Sequence, residues 1–184
     1  SAFCTGQYGG VQYALPYETV PTLMFVNKTL LTKEGIAMPD QEWTWEDLYS
    51  ICERVTKDTD GDGRLDQFGI FNYGWKDAVC SNGGEIFDSD GMEGHFTDER
   101  LVESVKYIRQ LNDLNQGQKV VREDFNNGNV AFMPLTFAEY RTYKTYPYKI
   151  KRYANFQWDC ITMPAGTQGD NLSQVETLLM GISA

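Results

Sequence analysis

The stretch "TLMFVNKTLLTKEG", Thr22 to Gly35, decides the fold class. Thr22 to Asn27 is a largely apolar run without polar alternation, the pattern of a strand covered on both faces. Asn27 can then cap a short helix, "KTLLTKE", which Gly35 ends. The same succession recurs along the chain. "FGIFNY" (68–73), "VAFMPL" (130–135), "FQWDCITMP" (156–164) and "ETLLMGIS" (176–183) read as further strands. Thr44 opens a helix with Asp47 at capping-box spacing, and Trp45, Leu48, Cys52 and Val55 fall on one face of it. "KDAVCSN" reads as a helix ended by Gly83 and Gly84. Thr97 is expected to cap a long helix whose buried stripe is Leu101, Val105, Ile108 and Leu111. A further helix is expected over 138–146, up to Pro147. Residues 6–16 read as a turn followed by a strand, "EIFDSDGMEGHF" as a hairpin with Asp90-Gly91 at its turn, and "EDFNNGN" as a helix end and turn. Strands alternating with helices predict an α/β fold with a mostly parallel sheet flanked by helices.

The chain has 184 residues, enough for one good domain or one and a half, and 41% hydrophobic content allows a core. A formal net charge of -10 argues against nucleic acid and against an anionic membrane surface. No apolar run approaches the ~20 residues of a membrane span. Cys4, Cys52, Cys80 and Cys160 are widely spread without a CxxC pair, so neither zinc nor a disulfide framework is indicated. Cys52 and Cys80, with apolar neighbours, read as small buried hydrophobes.

"KDTDGDGRLDQFG", Lys57 to Gly69, sets Asp58, Asp60 and Asp62 at alternate positions, with Arg64 and Asp66 continuing the alternation. Two like charges ~4 Å apart at a protein surface repel by about 4 kcal/mol. A loop that turned these carboxylates inward needs a cation. Acids at positions 1, 3, 5 and 9 with Gly63 at 6 match a calcium loop. Asp58, Asp60, Asp62 and Asp66 would give side-chain oxygens and Arg64 its carbonyl. Position 12 holds Gly69 where a sensor loop has a bidentate Glu, so the site would be structural and weaker than a sensor. The alternative is a solvated acidic turn in which "DGDG" is turn chemistry only.

Several stretches, in order, resemble the extracellular solute-binding proteins of ABC importers, in particular the carbohydrate-binding group that includes maltose-binding protein. They are "YALPYETVPTLMFVNKTLL", "WTWEDL", "TKDTDGDGRLDQFG", "SNGGEIFD", "FNNGNVAFM" and "DCITMPAGTQG". The resemblance implies a type II periplasmic-binding-protein fold of two α/β lobes joined by hinge strands. In that scheme residues 1–19 are a strand of the other lobe and the first hinge. Residues 20–162 are the main lobe, and 163–184 the second hinge and return strand. The chain would then be a central piece of a longer protein, unable to close over its solute by itself.

The resemblance also implies a site. Tyr73 and Trp75 follow a predicted strand, at the end where α/β sheets place ligands, and fall where the family has ligand-facing aromatics. Phe137 falls near another such aromatic, without the Gly-Pro pair that precedes it in the family. Tyr17 and Glu18 would face the cleft at the first hinge. Flat rings suit the C–H faces of sugars; for each ring taken alone the alternative is core packing. Asn82 reads as a helix-ending turn residue. Glu176 and Thr177 stand where the family often has a glycine pair, which removes a stacking wall there. Tyr140 to Tyr153 interleaves basic and aromatic residues, a pattern open either to single-strand nucleic-acid stacking or to a solvated helix and loop. The net charge favours the second.

His95 is the only histidine and lies at no triad or zinc spacing, and no carboxylate pair sits in a catalytic motif. The chain is therefore expected to be a non-enzymatic binding component. It would take a sugar or oligosaccharide and deliver it to the permease subunits of an ABC importer. It would work as a monomer outside the cytoplasmic membrane, periplasmic or anchored as a lipoprotein. The alternative is a calcium-stabilised carbohydrate-binding or accessory module of a secreted enzyme; most such modules are all-β.

Overall fold

The computed structural model describes residues 5–88, 90–139 and 156–181. The predicted helix over 138–146 and the Tyr140–Tyr153 stretch therefore lie almost wholly outside the described residues. In chain order the elements are β1 (Gln7–Tyr8), β2 (Val11–Gln12), β3 (Leu15–Asn27), α1 (Lys28–Lys33), α2 (Trp45–Val55), β4 (Phe68–Ile70), α3 (Trp75–Ser81), α4 (Glu99–Asp113), α5 (Arg122–Asn126), β5 (Val130–Thr136), β6 (Trp158–Ile161) and β7 (Val175–Met180). β1 and β2 form a small hairpin, where the sequence predicted a turn and then one strand. Gly9 and Gly10 both have positive φ, 57° and 78°, as a two-residue hairpin turn requires.

The main sheet runs in the order β4-β5-β3-β6, with β7 on the other half of β3. β4 and β5 are parallel, whereas β3 is antiparallel to β5, β6 and β7. β4, β5 and β6 thus share one direction, as strand–helix alternation predicts, and the inverted β3 is inserted between β5 and β6. This inversion matters for function. The carboxyl ends of β4, β5 and β6 meet the amino-terminal half of β3 at one end of the sheet. β3 is 13 residues long, far beyond the predicted Thr22–Asn27. Thr22 onward pairs with β5 and then β6, and Leu15 to Pro21 pair with β7.

Met24 and Val26 point into one hydrophobic cluster, with Trp43, Trp45, Leu48, Tyr107 and Phe132. Phe25 points into the other, with Phe68, Phe125, Met133 and Leu135. Both faces of the strand are covered, which explains its unbroken apolar run. The expected caps form. The Asn27 side chain accepts from the Leu30 amide at 3.0 Å, and Thr44 and Asp47 make the reciprocal capping box. Trp45, Leu48, Cys52 and Val55 are all buried on α2.

α4 differs from expectation in two respects. Its cap is Asp98 instead of Thr97, with the Asp98 carboxylate accepting from Arg100 N at 2.9 Å. Its buried stripe is Leu101, Ser104, Tyr107 and Leu111, and Val105 is exposed. The core takes Tyr107 because its ring stacks flat on Trp45, centroids 4.2 Å apart and planes 3° apart. Its hydroxyl also donates to the Trp45 carbonyl at 2.7 Å. Hydrophobic spacing alone could not weigh a tyrosine that finds both a ring and a hydrogen bond.

Candidate functional site

The carboxyl end of β4 leads through Phe71 and Asn72 into α3. Asn72 adopts a positive φ of 63°, which asparagine tolerates better than most residues. Gly74 then caps α3, its amide donating to Asp77 at 3.3 Å. The turn sends two neighbouring aromatics in opposite directions. Tyr73 goes inward: it is 7% exposed, accepts from Trp45 Nε1 at 3.1 Å, and its hydroxyl lies 3.3 Å from that of Ser81. Burial pushes its phenol well above the ordinary range. The expectation that Tyr73 helps form an open ligand wall is therefore corrected; the ring belongs to the core because Trp45 and Ser81 satisfy its hydroxyl there.

Trp75 goes outward. It is 36% exposed and lines a cleft of about 830 Å³ together with Cys80, Glu85, Phe87, Phe96 and Gln174. Lys76 Nζ stands 5.8 Å from the indole centroid. Cys80, expected to be buried, is half-buried on the same wall; Cys52 is buried as expected. Gln174 ties this cleft to β3, since its carbonyl accepts from Thr22 N at 2.9 Å.

Phe137 follows the carboxyl end of β5 and is partly exposed at the same end of the sheet, but it does not line this cleft. Tyr17 and Glu18 lie on the β7-paired half of β3. The register steps from Pro16↔Leu179 to Glu18↔Leu178, so Tyr17 is the extra residue of a bulge and its ring is exposed. Trp75 and Phe137 thus follow the carboxyl ends of β4 and β5, Tyr17 and Glu18 lie in the half of β3 that extends past that end, and of these four only Trp75 lines the cleft; Tyr73 is in the core.

A polar network missed in the sequence ties the end of α3 to α4 and to the 166–169 segment. Asn82, the C-cap of α3, is fully buried. Its amide donates to Arg100 O at 3.1 Å and Glu103 at 2.9 Å, and accepts from Gln168 N at 3.0 Å. Thr167 and Gln168 also donate to Glu103, at 2.6 and 3.3 Å. These bonds, first that from Thr167, hold the Glu103 carboxyl below its ordinary range. The segment approaches closely enough that a Cβ on Gly169 would fall 2.0 Å from Ser81 O, and one on Gly166 2.4 Å from Asn82 Oδ1. The glycines of "AGTQG" were the only local signal, marking close backbone approach.

In the aspartate loop, carboxylate oxygens of Asp58, Asp60 and Asp66 come within 4.8 Å of one another. Asp62 is not in that group; its carboxylate accepts from Arg64 N at 2.8 Å. Asp58 accepts from Gly61 N and Gly63 N, both at 2.7 Å, and these amides, Gly63 first, lower its pKa. Asp66 is held by the Thr59 amide and hydroxyl, at 3.0 and 2.6 Å. The fold also accounts for the missing Glu. Gly69 is buried in β4 against α2, and a Cβ there would lie 2.5 Å from Cys52 Cβ.

A sequence model described as bacterial extracellular solute-binding protein matches residues 2–183, and the chain belongs to that family. Its fold is that of a type II periplasmic-binding-protein lobe. No curated protein matches the chain. Among solved structures, the cyclic alpha-maltosyl-1,6-maltose binding protein from Arthrobacter globiformis has a TM-score of 0.77 at 15% identity, over 100% of this chain and 47% of that one. The maltose/maltodextrin-binding domain MalE from Bdellovibrio bacteriovorus, bound to maltotriose, has 0.71 at 17% identity, over 100% and 49%. An ABC substrate-binding protein from Listeria monocytogenes, in complex with cycloalternan, has 0.70 at 20% identity, over 91% and 43%. The chain therefore spans about half the length of these proteins.

Proposed function

We propose that the protein is the solute-binding component of an ABC importer and that its solute is a sugar or oligosaccharide, passed to membrane permease subunits. One observation carries the reading: a part-exposed indole at the carboxyl end of β4, in a cleft that Gln174 links to β3, with Lys76, Glu85 and Gln174 around it. Rings meet the C–H faces of sugars and planar polar groups meet the hydroxyls. Maltotriose and cycloalternan bound to the structural relatives support the same class. In this reading residues 20–162 are one lobe, 1–19 and 163–184 belong to the hinge and the opposing lobe, and closure of that lobe over the solute completes the site. The protein acts as a monomer outside the cytoplasmic membrane, periplasmic or lipid-anchored, and binds without chemistry. No helix among the described residues is long and apolar enough to cross a membrane. Titration calorimetry of the intact protein against a sugar panel tests the reading. Binding of a peptide or a metal in place of any sugar overturns it.

The aspartate loop is proposed to hold a structural calcium ion through Asp58, Asp60 and Asp66, joining the end of α2 to β4. The support is the convergence of three carboxylates, whose mutual repulsion a divalent cation would relieve. Calorimetry with calcium alone, showing no heat and no rise in melting temperature, would overturn it.

A further inference from the structure

We propose that a second cavity, between the carboxyl end of β4 and the turn that follows α4, binds a small zwitterion: a free α-amino acid with an apolar side chain. The cavity is about 520 Å³, within the roughly 300–1,000 Å³ of small-ligand sites. It shares no lining residue with the cleft around Trp75, and the inference does not rest on the sugar-binding reading.

The observation that points to a ligand is Asn115. It lines the cavity and is only 9% exposed, but its side-chain amide makes no hydrogen bond among the described residues. A polar group withdrawn this far from water is normally paired. The frame around it is fixed. Asn115 N donates to Asn112 O at 3.1 Å, Gln116 N to Asp113 O at 3.1 Å and Gln118 N to Asn115 O at 2.9 Å. Leu111 belongs to one hydrophobic cluster and Val120 packs against the other, so both ends of the turn are anchored. Among the described residues only Asn72 and Gln116 combine a side chain with a positive φ, 63° and 51°. Asn72 lines the cavity, and Gln116 stands between the lining residues Asn115 and Gly117. Backbone held in this region is strained, and such strain concentrates at ligand sites.

The class of ligand follows from the charges at the rim. Asp113 and Lys119 both line the cavity, and neither makes an ion pair among the described residues. Phe71 and Val120 add apolar wall. A simple anion would use Lys119 and meet Asp113 as a like charge, and a simple cation would do the reverse. A polyol would use neither charge. A zwitterion uses both, its ammonium at Asp113 and its carboxylate at Lys119. The Asn115 amide both donates and accepts, so it suits either group. An apolar side chain on the ligand then has Phe71 and Val120 to cover.

The test is titration calorimetry of the intact protein with L-leucine and L-phenylalanine, with the amide of each, which lacks the carboxylate, with the des-amino acid of each, which lacks the ammonium, and with glycerol. At least one of the two amino acids should bind at millimolar concentration or below, and at least about tenfold tighter than its own amide and des-amino acid. Asn115→Ala should weaken that binding at least about tenfold and leave sugar affinity as it was. Lys119→Ala and Asp113→Asn should each weaken it by a smaller factor, because both positions are exposed; for the same reason they leave the fold intact. No heat with either amino acid overturns the site, as does an affinity unchanged by Asn115→Ala or by both rim variants. Equal binding of an amide or des-amino acid, or binding of glycerol in place of the amino acids, overturns the zwitterion.

Discussion

The two halves of β3 form one continuous strand in two different environments. From Thr22 to Asn27 it has β5 on one side and β6 on the other, and Met24, Phe25, Val26 and Asn27 are fully buried. From Leu15 to Pro21 its partner is β7, and Leu15 and Tyr17 are exposed, as are Leu178, Leu179 and Met180 opposite. Pro16 and Pro21 both fall in this half, where a missing N–H is tolerated more easily than in a strand flanked on both sides. The two halves differ both in backbone pairing, with strands on both sides of one and a single partner for the other, and in side-chain burial. The Thr22–Asn27 half contributes its side chains to the core, whereas the Leu15–Pro21 half and β7 opposite it keep much of their apolar surface exposed.

The sharpest contrast comes from Phe25→Ala in the Thr22–Asn27 half. Phe25 is fully buried and stacked on Trp158, centroids 5.3 Å apart, so urea denaturation should show a loss of about 3–5 kcal/mol. A small loss there would dissolve the distinction between the halves. Next is Gly69→Glu, which restores the calcium-loop acid. With its Cβ forced to within 2.5 Å of Cys52, the variant should lose about 1–3 kcal/mol or more, without tighter calcium binding. A stable variant with higher calcium affinity would show that the lobe packs less tightly than described.

At the junction of the halves, Trp75→Ala should cost about 1–3 kcal/mol of sugar affinity while the melting temperature changes little, because the indole is part-exposed. A large melting shift with unchanged affinity would move Trp75 from cleft to core. Asp58→Asn should abolish a calcium-dependent rise in melting temperature. Because backbone amides from Gly63 and Gly61 lower the folded pKa of Asp58, its contribution is present above the ordinary carboxylate pKa, near ~3.9. It is lost as the pH falls through the lower folded value. Melting curves between pH 3 and 6 with and without Asp58→Asn check the sign; a difference that grows on acidification would refute it. The smallest effect is expected from Leu178→Ala, exposed in β7 opposite the Leu15–Pro21 half of β3: within about 0.5 kcal/mol by urea denaturation.

Much of the lobe was legible in the sequence because its signals are local. Asn27 and Leu30, or Thr44 and Asp47, are three residues apart, and a cap needs nothing beyond that spacing. The apolar run Thr22–Asn27 likewise announced a strand covered on both faces. The site was legible in part. The order of motifs pointed to the carboxyl end of β4, and Trp75 stands exposed there. Tyr73 does not, and nothing within "FNYGW" distinguishes the two rings. Phe87 and Phe96 went unremarked because a hairpin reads as turn chemistry, whereas their place in the cleft that Trp75 also lines depends on parts of the chain far from that turn.

By itself, then, the sequence determined the order and type of most elements, the caps, the acidic loop and the family likeness. Each of these rests on residue types at short, regular spacing. Tertiary structure decided the rest: the inverted insertion of β3, the inward turn of Tyr73 onto Trp45 and Ser81, the burial of Asn82 under the 166–169 segment, and the exclusion of any side chain at Gly69. The reason is the same in each case. Burial free energy and close contact depend on atoms brought together from distant parts of the chain, and no local pattern records which surface a residue will meet.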